Sequence, residues 1–289
     1  MSSVNPIRKQ TVSHIRARKG KAPIVCLTAY DALMTEILDP HVDLLLVGDS
    51  AGTVLHGAET TIPVTLDEMI LHGRSVMRAD PKSLVVIDLP FGSYEASPQQ
   101  AFDTASRVLK ETGADAVKLE GGVTQAETIN FLTERGVPVM AHVGLRPQAV
   151  RATGGYKIVG KTDVECEAMR ADIDAVTEAG AFCVVLEGVI ENLARELTAR
   201  IEIPTIGIGA SPACDGQILV THDMLGLLEK TPKFVRLFAN LRETIGDAIG
   251  AYAEAVRDGS FPAAEETYGG GKSADVKPIN SSPQQRNYQ

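Results

Sequence analysis

Eight short apolar runs, each separated from the next by a helix-like or turn-like segment, constrain the fold of this 289-residue chain most strongly. A strand buried on both faces is apolar throughout, so it reads as a continuous run and not as an alternating pattern. Eight such strands interleaved with helices match the count of a (β/α)8 barrel, and we predict an α/β fold of the TIM-barrel class. The alternative is an open doubly wound sheet, which usually carries a glycine-rich fingerprint after its first strand, where this chain has Thr28-Ala29-Tyr30-Asp31. The runs begin at Ile24, Leu44, Leu84, Ala116, Pro138, Phe182, Pro204 and Gly216.

The barrel is predicted to occupy residues 23–268, between two segments of different composition. Residues 1–22 are polar and are predicted to include a short helix from about Thr11 to Lys19 that packs on the main domain. Residues 269–289 are rich in Gly, Ser, Pro, Gln and Asn with few apolar residues, so we predict a disordered tail. Helical patterns are also expected from Lys233 to Arg257.

Local signals mark two of the helix starts and two long loops. Thr65-Leu66-Asp67-Glu68 has the form of a capping box, and Ser97-Pro98 places a capping residue before a proline at the first helical position. The stretches 52–63 and 152–161 are predicted to be glycine-containing loops, and the first is long enough to be a lid or substrate loop.

Composition excludes several classes of function. The net charge is −9, which argues against nucleic acid as a partner, because a phosphate-binding face needs clustered Lys and Arg. No apolar stretch approaches the roughly 20 residues of a membrane span, so no membrane association is predicted. The basic N-terminus lacks the apolar region of a secretory signal, and the four cysteines form no CxxC pair. We therefore expect a reduced, soluble, cytoplasmic protein.

Acidic and imidazole side chains end five successive predicted strands. Asp49, Asp88, Glu120, His142 and Glu187 close strands two to six. The carboxyl ends of barrel strands converge on one mouth, so four carboxylates and one imidazole are expected to share a pocket. Any single strand-end acid is explained nearly as well by a helix cap, but four successive cases make that explanation improbable.

Four ionised carboxylates cannot crowd together without a cation, because like charges raise one another's pKa values. The absence of a cysteine ligand and the oxygen-rich donor set favour a hard ion, Mg²⁺ or Mn²⁺. Such an ion could hold a 2-oxo acid through its carboxylate and carbonyl oxygens and stabilise an enolate. A carboxylate outside the metal shell could then move a proton.

Two other residues near these strand ends admit more than one role. Lys118 lies two residues before Glu120, so both side chains point to the same side of the strand. Lys118 could pair with a substrate carboxylate, form a Schiff base, or make an internal ion pair with neighbouring acids. His142 could donate a hydrogen bond to substrate or be a satisfied core histidine.

The sequence strings at these strand ends resemble, as an ordered set, those of the ketopantoate hydroxymethyltransferase family. The resemblance runs from about residue 8 to residue 268, and it implies a (β/α)8 barrel that uses Mg²⁺ and 5,10-methylenetetrahydrofolate and often assembles as a homodecamer. The strings that carry it are Leu46-Val47-Gly48-Asp49-Ser50, Asp88-Leu89-Pro90-Phe91, Val117-Lys118-Leu119-Glu120-Gly121-Gly122, His142-Val143-Gly144-Leu145, Gly154-Gly155-Tyr156-Lys157, Leu186-Glu187, Ile206-Gly207-Ile208-Gly209-Ala210 and Asp215-Gly216-Gln217-Ile218-Leu219-Val220.

The resemblance also implies roles for the site residues. It implies one Mg²⁺ per subunit, held by Asp49, Asp88 and Glu120. Glu187 would transfer the proton in a reaction that joins 3-methyl-2-oxobutanoate to the folate-borne one-carbon unit and gives 2-dehydropantoate. The residues expected to hold the oxo acid are Asp49, Ser50, Asp88, Lys118 and His142.

Two rival hypotheses remain at this stage. The first is a Mg²⁺-dependent C–C lyase or mutase similar to the phosphoenolpyruvate mutase and isocitrate lyase group, which shares the barrel and needs no folate. The second is a catalytically inactive barrel that binds a metabolite or serves as a scaffold. Four clustered carboxylates argue against the second hypothesis, since an inactive protein has no chemical use for them.

Overall fold

The computed structural model describes residues 9–268 of the chain. These residues fall into two compact units, one up to Ala239 and one from Asn240 onward. The first unit contains the barrel and all the predicted site residues. The predicted disordered tail, residues 269–289, lies outside the described residues, and the division of the chain at residues 23 and 268 stays a prediction.

The first unit is a closed barrel of eight parallel strands in sequence order, which confirms the predicted fold class. Every strand pairs with its sequence neighbours, and β1 pairs with β8 to close the sheet. Each strand begins within one residue of the start of its predicted apolar run. The strands are β1 (Ile24–Thr28), β2 (Leu44–Val47), β3 (Leu84–Asp88), β4 (Ala116–Glu120), β5 (Val139–Gly144), β6 (Cys183–Glu187), β7 (Thr205–Ile208) and β8 (Gly216–Leu219).

Helices separate most of the strands, and the predicted capping signals are confirmed. Thr65 accepts a hydrogen bond from the backbone of Glu68 and Glu68 reciprocates, while Ser97 caps the helix that begins at Pro98. The helices of the first unit are α1 (Val12–Arg16), α2 (Ala32–Leu38), α3 (Ala51–Val54), α4 (Leu66–Met77), α5 (Pro98–Thr112), α6 (Ala126–Thr133), α7 (Val150–Thr153), α8 (Asp163–Glu178), α9 (Glu191–Arg200) and α10 (Thr221–Met224).

Alternate residues of each strand face the barrel interior, and their polarity changes along the barrel axis. Towards the amino ends of the strands the interior is apolar, with Ile24, Leu44 and Leu84 in one buried cluster. At the carboxyl ends the same faces carry Asp88 and Glu120. The outward faces pack under the helices in a second cluster. The polar residues are therefore confined to one end of the barrel.

The helix α1 closes the opposite end of the barrel. Its residue Ile15 is fully buried and belongs to the interior cluster. The chain that follows is fixed by Lys19, whose ammonium donates to Asp215 Oδ2 at 2.9 Å, and by the backbone of Gly20, which donates to Asp215 Oδ1 at 2.8 Å. The prediction that the N-terminal helix packs on the main domain is confirmed.

The second unit contains one long helix, α11 (Leu241–Asp258), which ends at Gly259 in the left-handed conformation. The prediction of helical structure from Lys233 was wrong by eight residues, because residues 233–240 are irregular. The aromatic ring of Phe234 lies against Gly209 at the barrel mouth, and this tertiary contact replaces the helical conformation. Short helices also occupy the start of each expected long loop, as α3 and α7. Within residues 9–268, no helix is long and apolar enough to cross a membrane.

Candidate active site

Strand register brings the predicted site residues to one end of the barrel. Asp88 is paired with Lys118 across β3 and β4, and Glu120 is paired with His142 across β4 and β5. Glu187 is the last residue of β6 and lies opposite Gly144. The carboxyl ends of the barrel strands open on one mouth, so these side chains come together there.

The strongest pair in the site joins Lys118 and Asp88. Both side chains are buried, and the Lys118 ammonium donates a short hydrogen bond to Asp88 Oδ1. Burial by itself lowers the pKa of Lys118, but the charges of Asp88, Glu120 and Asp49 outweigh it and raise the pKa above its ordinary value. Lys118 is therefore a fixed cation.

Asp49 lies two residues after the end of β2 and is 5% exposed. Its backbone N–H donates to Asp88 Oδ2 at 3.1 Å, which joins the ends of β2 and β3. Burial and the nearby charge of Asp88 raise the pKa of Asp49 to about 7. The adjacent Ser50 hydroxyl lies 2.8 Å from the hydroxyl of Tyr30. Burial and the charge of Asp88 thus disfavour the ionised form of Asp49, and a bound cation would stabilise that form.

The buried side chains of Glu120 and His142 carry polar atoms that have no hydrogen-bond partner within residues 9–268. Burial, together with the charges of Asp49, Asp88 and Glu187, raises the pKa of Glu120 well above its ordinary value. Within residues 9–268 the atom Glu120 Oε1 is buried without a hydrogen-bond partner, and it lies 3.6 Å from His142 Nδ1. His142 Nε2 lies 3.3 Å from Glu187 Oε2, and burial lowers the pKa of the imidazole. His142 therefore lies between two carboxylates as a neutral ring with both nitrogens available.

Two residues that sequence reasoning missed hold the acids in place. Gln148 is buried; its Nε2 donates to Asp49 Oδ2 at 2.8 Å and its backbone N–H donates to Glu120 Oε2 at 3.1 Å. Tyr94 donates its hydroxyl hydrogen to Gln148 Oε1 at 2.6 Å and accepts from the backbone N–H of Glu120 at 3.2 Å. In the sequence, Pro147 was the residue that could have indicated a helical turn at this position, because proline is common at the first position of a helix.

All the predicted site residues line one small cavity at the barrel mouth. Its volume is about 150 Å³, roughly that of five water molecules in the liquid. This volume suits a small organic acid. The predicted residues on its wall are Asp49, Ser50, Asp88, Lys118, Glu120, His142 and Glu187.

The donor set of this cavity fits a hard divalent cation. Three buried carboxylates, those of Asp49, Asp88 and Glu120, face one buried ammonium, that of Lys118, and Glu120 Oε1 lacks any partner. Carboxylate oxygens are the ligands that Mg²⁺ prefers. Over residues 9–268 no three His, Cys, Asp or Glu side chains already stand in a coordinating arrangement. Lys118 occupies one Asp88 oxygen, so binding would require the carboxylates to turn toward the ion.

Comparison with known proteins places this geometry in a family. The sequence model described as ketopantoate hydroxymethyltransferase matches residues 9–264. The chain belongs to the ketopantoate hydroxymethyltransferase family. A 3-methyl-2-oxobutanoate hydroxymethyltransferase of Parvibaculum lavamentivorans is 60% identical over 268 residues, covering 93% of this chain and 98% of that protein. One from Phenylobacterium zucineum is 58% identical over 262 residues, covering 91% and 95% of the two chains. This member of the ketopantoate hydroxymethyltransferase family is therefore an enzyme.

More distant solved structures share the fold of the family member. A 2,3-dimethylmalate lyase of the PEP mutase/isocitrate lyase superfamily aligns with a TM-score of 0.57 at 19% identity and covers 89% of each chain. A phosphonopyruvate hydrolase solved with oxalate and Mg²⁺ aligns with a TM-score of 0.59 at 12% identity, covering 89% of this chain and 93% of that one. At these identities the likeness shows the barrel fold alone.

Proposed function

We propose that this enzyme transfers a hydroxymethyl group from 5,10-methylenetetrahydrofolate to 3-methyl-2-oxobutanoate. The overall reaction consumes one water and gives 2-dehydropantoate, a precursor of pantothenate, together with tetrahydrofolate. Membership of the family over residues 9–264, with its expected site positions gathered around one 150 Å³ cavity, carries this proposal.

One Mg²⁺ per subunit is proposed to bind among Asp49, Asp88 and Glu120. The support is the excess of buried carboxylates over buried cations and the unpartnered Glu120 Oε1. When bound, the ion supplies positive charge beside the 2-oxo oxygen, where negative charge develops.

Lys118, Ser50 and His142 are proposed to hold the oxo acid with Asp49 and Asp88. The raised pKa of Lys118 keeps its amine protonated, which favours an ion pair with the substrate carboxylate over a Schiff base, because a Schiff base requires a neutral amine. Tyr30 orients the Ser50 hydroxyl, and the neutral His142 can donate one hydrogen bond into the cavity.

Glu187 is proposed to accept the proton from C3 of the oxo acid. Its side chain is 17% exposed, more than the other acids of the site, so it can reach substrate while keeping contact with water. As the C3–H bond breaks, its electron pair passes into the C2–C3 bond of an enolate, which then attacks the methylene carbon of the donor. The carbon–nitrogen bonds of the methylene break, water supplies the hydroxyl oxygen, and protons return to the folate nitrogens.

The test measures two activities of the Mg²⁺-loaded enzyme. One is 2-dehydropantoate formation with the donor, and the other is exchange of the C3 proton in D₂O without it. Glu187→Gln is expected to lower both rates by roughly 10²–10⁴-fold, as for loss of a general base. Asp88→Ala should abolish both, and Glu178→Gln, an exposed acid at the end of α8, serves as the control. Product formation that does not need the donor would contradict the transferase and favour the lyase or mutase hypothesis.

We also propose that the enzyme forms homo-oligomers, with the family resemblance indicating a decamer. The helix α11 has no buried residue, and Ile245, Ile249, Tyr252 and Val256 are spaced so as to share one of its faces. Light scattering should give ten times the 30.8 kDa chain mass, and a monomeric mass would contradict the assembly. A cytoplasmic location is proposed because all four cysteines are unpaired, as is usual in reducing compartments.

A further inference from the structure

The small cavity leaves no space for the larger of the two proposed substrates. Its volume of about 150 Å³ suits the oxo acid. A pterin with its aminobenzoyl-glutamate tail needs a site in the several-hundred Å³ range of typical ligand pockets. Since the methylene carbon must still reach the oxo acid, that second site must adjoin the first. This requirement rests on the proposed function.

A larger cavity shares a wall with the small one. Its volume is about 810 Å³, and Pro232 and Phe234 line both cavities. Its wall is formed by residues 145–158 after β5, by Gly188 after β6, by residues 209–217, which run from the end of β7 to the start of β8, and by Pro23 before β1. We call it the donor cavity. Because β7 and β8 are joined by a loop with no intervening helix, no helix of that connection covers this side of the barrel.

The walls of the donor cavity suit a flat aromatic ring. Tyr156, Ile158 and Phe234 line it and remain 54%, 51% and 41% exposed, although large apolar side chains usually avoid water. A Cβ atom at Gly209 would come within 2.7 Å of the Phe234 ring, so the glycine is what allows this ring to lie on the backbone between the two cavities. Flat contact with side chains of this kind stabilises heterocycles.

The donor cavity also carries a positive charge that has no partner in the described part of the chain. Lys233 lies on its wall and makes no ion pair or hydrogen bond within residues 9–268. The folate tail ends in carboxylates, which a lysine ammonium can bind. The cavity therefore offers an apolar surface for the ring and a cation for the tail.

The donor cavity approaches the reacting centre beside Glu187. Glu187 lines the small cavity, and the next residue, Gly188, lines the large one. Tyr156 is close enough to Glu187 that the carboxylate, after burial, contributes to the raised pKa of the phenol. A donor bound against Tyr156 would thus present its one-carbon unit where the C3 proton is removed.

We propose that the donor cavity binds the folate co-substrate, with the pterin ring between Tyr156 and Phe234 and the tail carboxylate at Lys233. A rival site exists on the other side of Glu120, where a cavity of about 300 Å³ is lined by Phe91, Arg146 and Arg151. The rival has more positive charge, but it is smaller and lies away from Glu187. Volume and position therefore favour the donor cavity.

The experiment measures binding of 5-formyltetrahydrofolate, a stable analogue of the donor, by calorimetry with Mg²⁺ and the oxo acid present. Ile158→Trp fills the donor cavity and is expected to raise the Kd at least 10-fold. Lys233→Ala, which removes no hydrogen bond or ion pair made within residues 9–268, is expected to raise it about 3- to 10-fold, and it keeps the test valid if the tryptophan variant fails to fold. Phe91→Ala and Arg151→Ala are the matched changes in the rival cavity.

The outcomes separate this proposal from the reaction itself. Weakened binding in the Ile158 and Lys233 variants, with wild-type affinity in the Phe91 and Arg151 variants, supports the donor cavity. The reverse pattern, or wild-type affinity in all four, overturns it. Exchange of the C3 proton by the wild-type enzyme needs no donor, so absence of both exchange and product formation would count against the proposed function and not against the cavity assignment.

Discussion

Replacing Gln148 with methionine tests whether the acids of the site are held by the amide that bridges them. The side chain of Gln148 makes hydrogen bonds to Asp49 Oδ2, to the carbonyl of Leu89 at 3.0 Å and to the hydroxyl of Tyr94. Methionine keeps the shape and removes all three bonds. The backbone N–H that donates to Glu120 is unaffected.

The magnitude follows from the partners left behind. The Leu89 carbonyl and the Tyr94 hydroxyl become buried polar groups without those bonds, at about 1–3 kcal/mol each, so we expect the free energy of unfolding to fall by about 3 kcal/mol. Asp49 loses a charge-assisted hydrogen bond and its fixed orientation. Removing a group that orients a metal ligand typically costs 10- to 100-fold in metal affinity, and we expect the Mg²⁺ Kd to rise by that factor.

The pH dependence provides a second readout. The hydrogen bond from Gln148 favours the ionised form of Asp49, whose pKa stands at about 7, so its removal raises that pKa further. Protons and Mg²⁺ compete for the same carboxylate. The affinity loss should therefore be larger at pH 6 than at pH 8.

Calorimetric titration with Mg²⁺ and urea unfolding without Mg²⁺ measure the two effects. Gln99→Met is the control, since Gln99 is exposed on α5 and bonds only its neighbour Asp103, and it should change stability by less than about 0.5 kcal/mol. Tyr94→Phe removes the hydroxyl that donates to Gln148 and accepts from the Glu120 backbone but leaves the bond from Gln148 to Asp49, and it serves if the methionine variant does not fold. A folded Gln148→Met protein with the Mg²⁺ affinity of the wild type would refute the bridging role.

Three further predictions address the fixed cation, a crowded glycine and the closed end of the barrel. Lys118→Met leaves three buried carboxylates without a cation, so the free energy of unfolding of the Mg²⁺-free protein should fall by about 3–5 kcal/mol, and added Mg²⁺ should raise the Tm more than it does in the wild type. A Tm that is unchanged without Mg²⁺ would disprove this. Gly144→Ala places a Cβ 2.4 Å from the carbonyl oxygen of Glu187, whereas the Cβ of Gly136→Ala, also at positive φ, meets nothing within 4 Å. The free energy of unfolding should therefore fall by about 1–3 kcal/mol more in the first variant than in the second, and equal losses in urea unfolding would contradict the crowding. Burial raises the pKa of Asp215, but its hydrogen bonds and Lys19 outweigh burial and lower the pKa overall, so the stability that the ionised carboxylate contributes is present at neutral pH and is lost as the pH falls through the folded pKa. Asp215→Asn should therefore lower the Tm at pH 7 by the equivalent of about 2 kcal/mol and change it little in strong acid. A difference in Tm that persists in acid would show that the charge is not the cause.

The sequence alone predicted the barrel and its acids because both depend on periodic signals. A buried parallel strand is recognisable from its apolar run, and a barrel brings the ends of all such strands together, so Asp88, Glu120 and Glu187 could be placed in one cavity. Gln148 lies in a loop turn, where no periodicity tells which way a side chain points. Tyr94 likewise depends on a contact 54 residues away in the chain.

The same limit explains the mistaken helix. Residues 233–240 have helical spacing of apolar residues, but the Phe234 ring lies against the Gly209 backbone at the barrel mouth. A contact between distant segments outweighs local propensity. The sequence pattern contains no information about that contact.

Closure of the barrel through β1 and β8 has a consequence for synthesis of the chain. About 190 residues separate the two strands, and translation at about 5–20 residues per second takes roughly 10–40 s to cover them. Throughout that time one edge of β1 has no partner, and Ile15 lacks Ile218, which belongs to the same buried cluster. Although β1 and Ile15 leave the ribosome well before β8, they are thus among the last parts of the barrel to reach their final environment, and the exposed edge of β1 is where a chaperone would give the nascent chain the most protection.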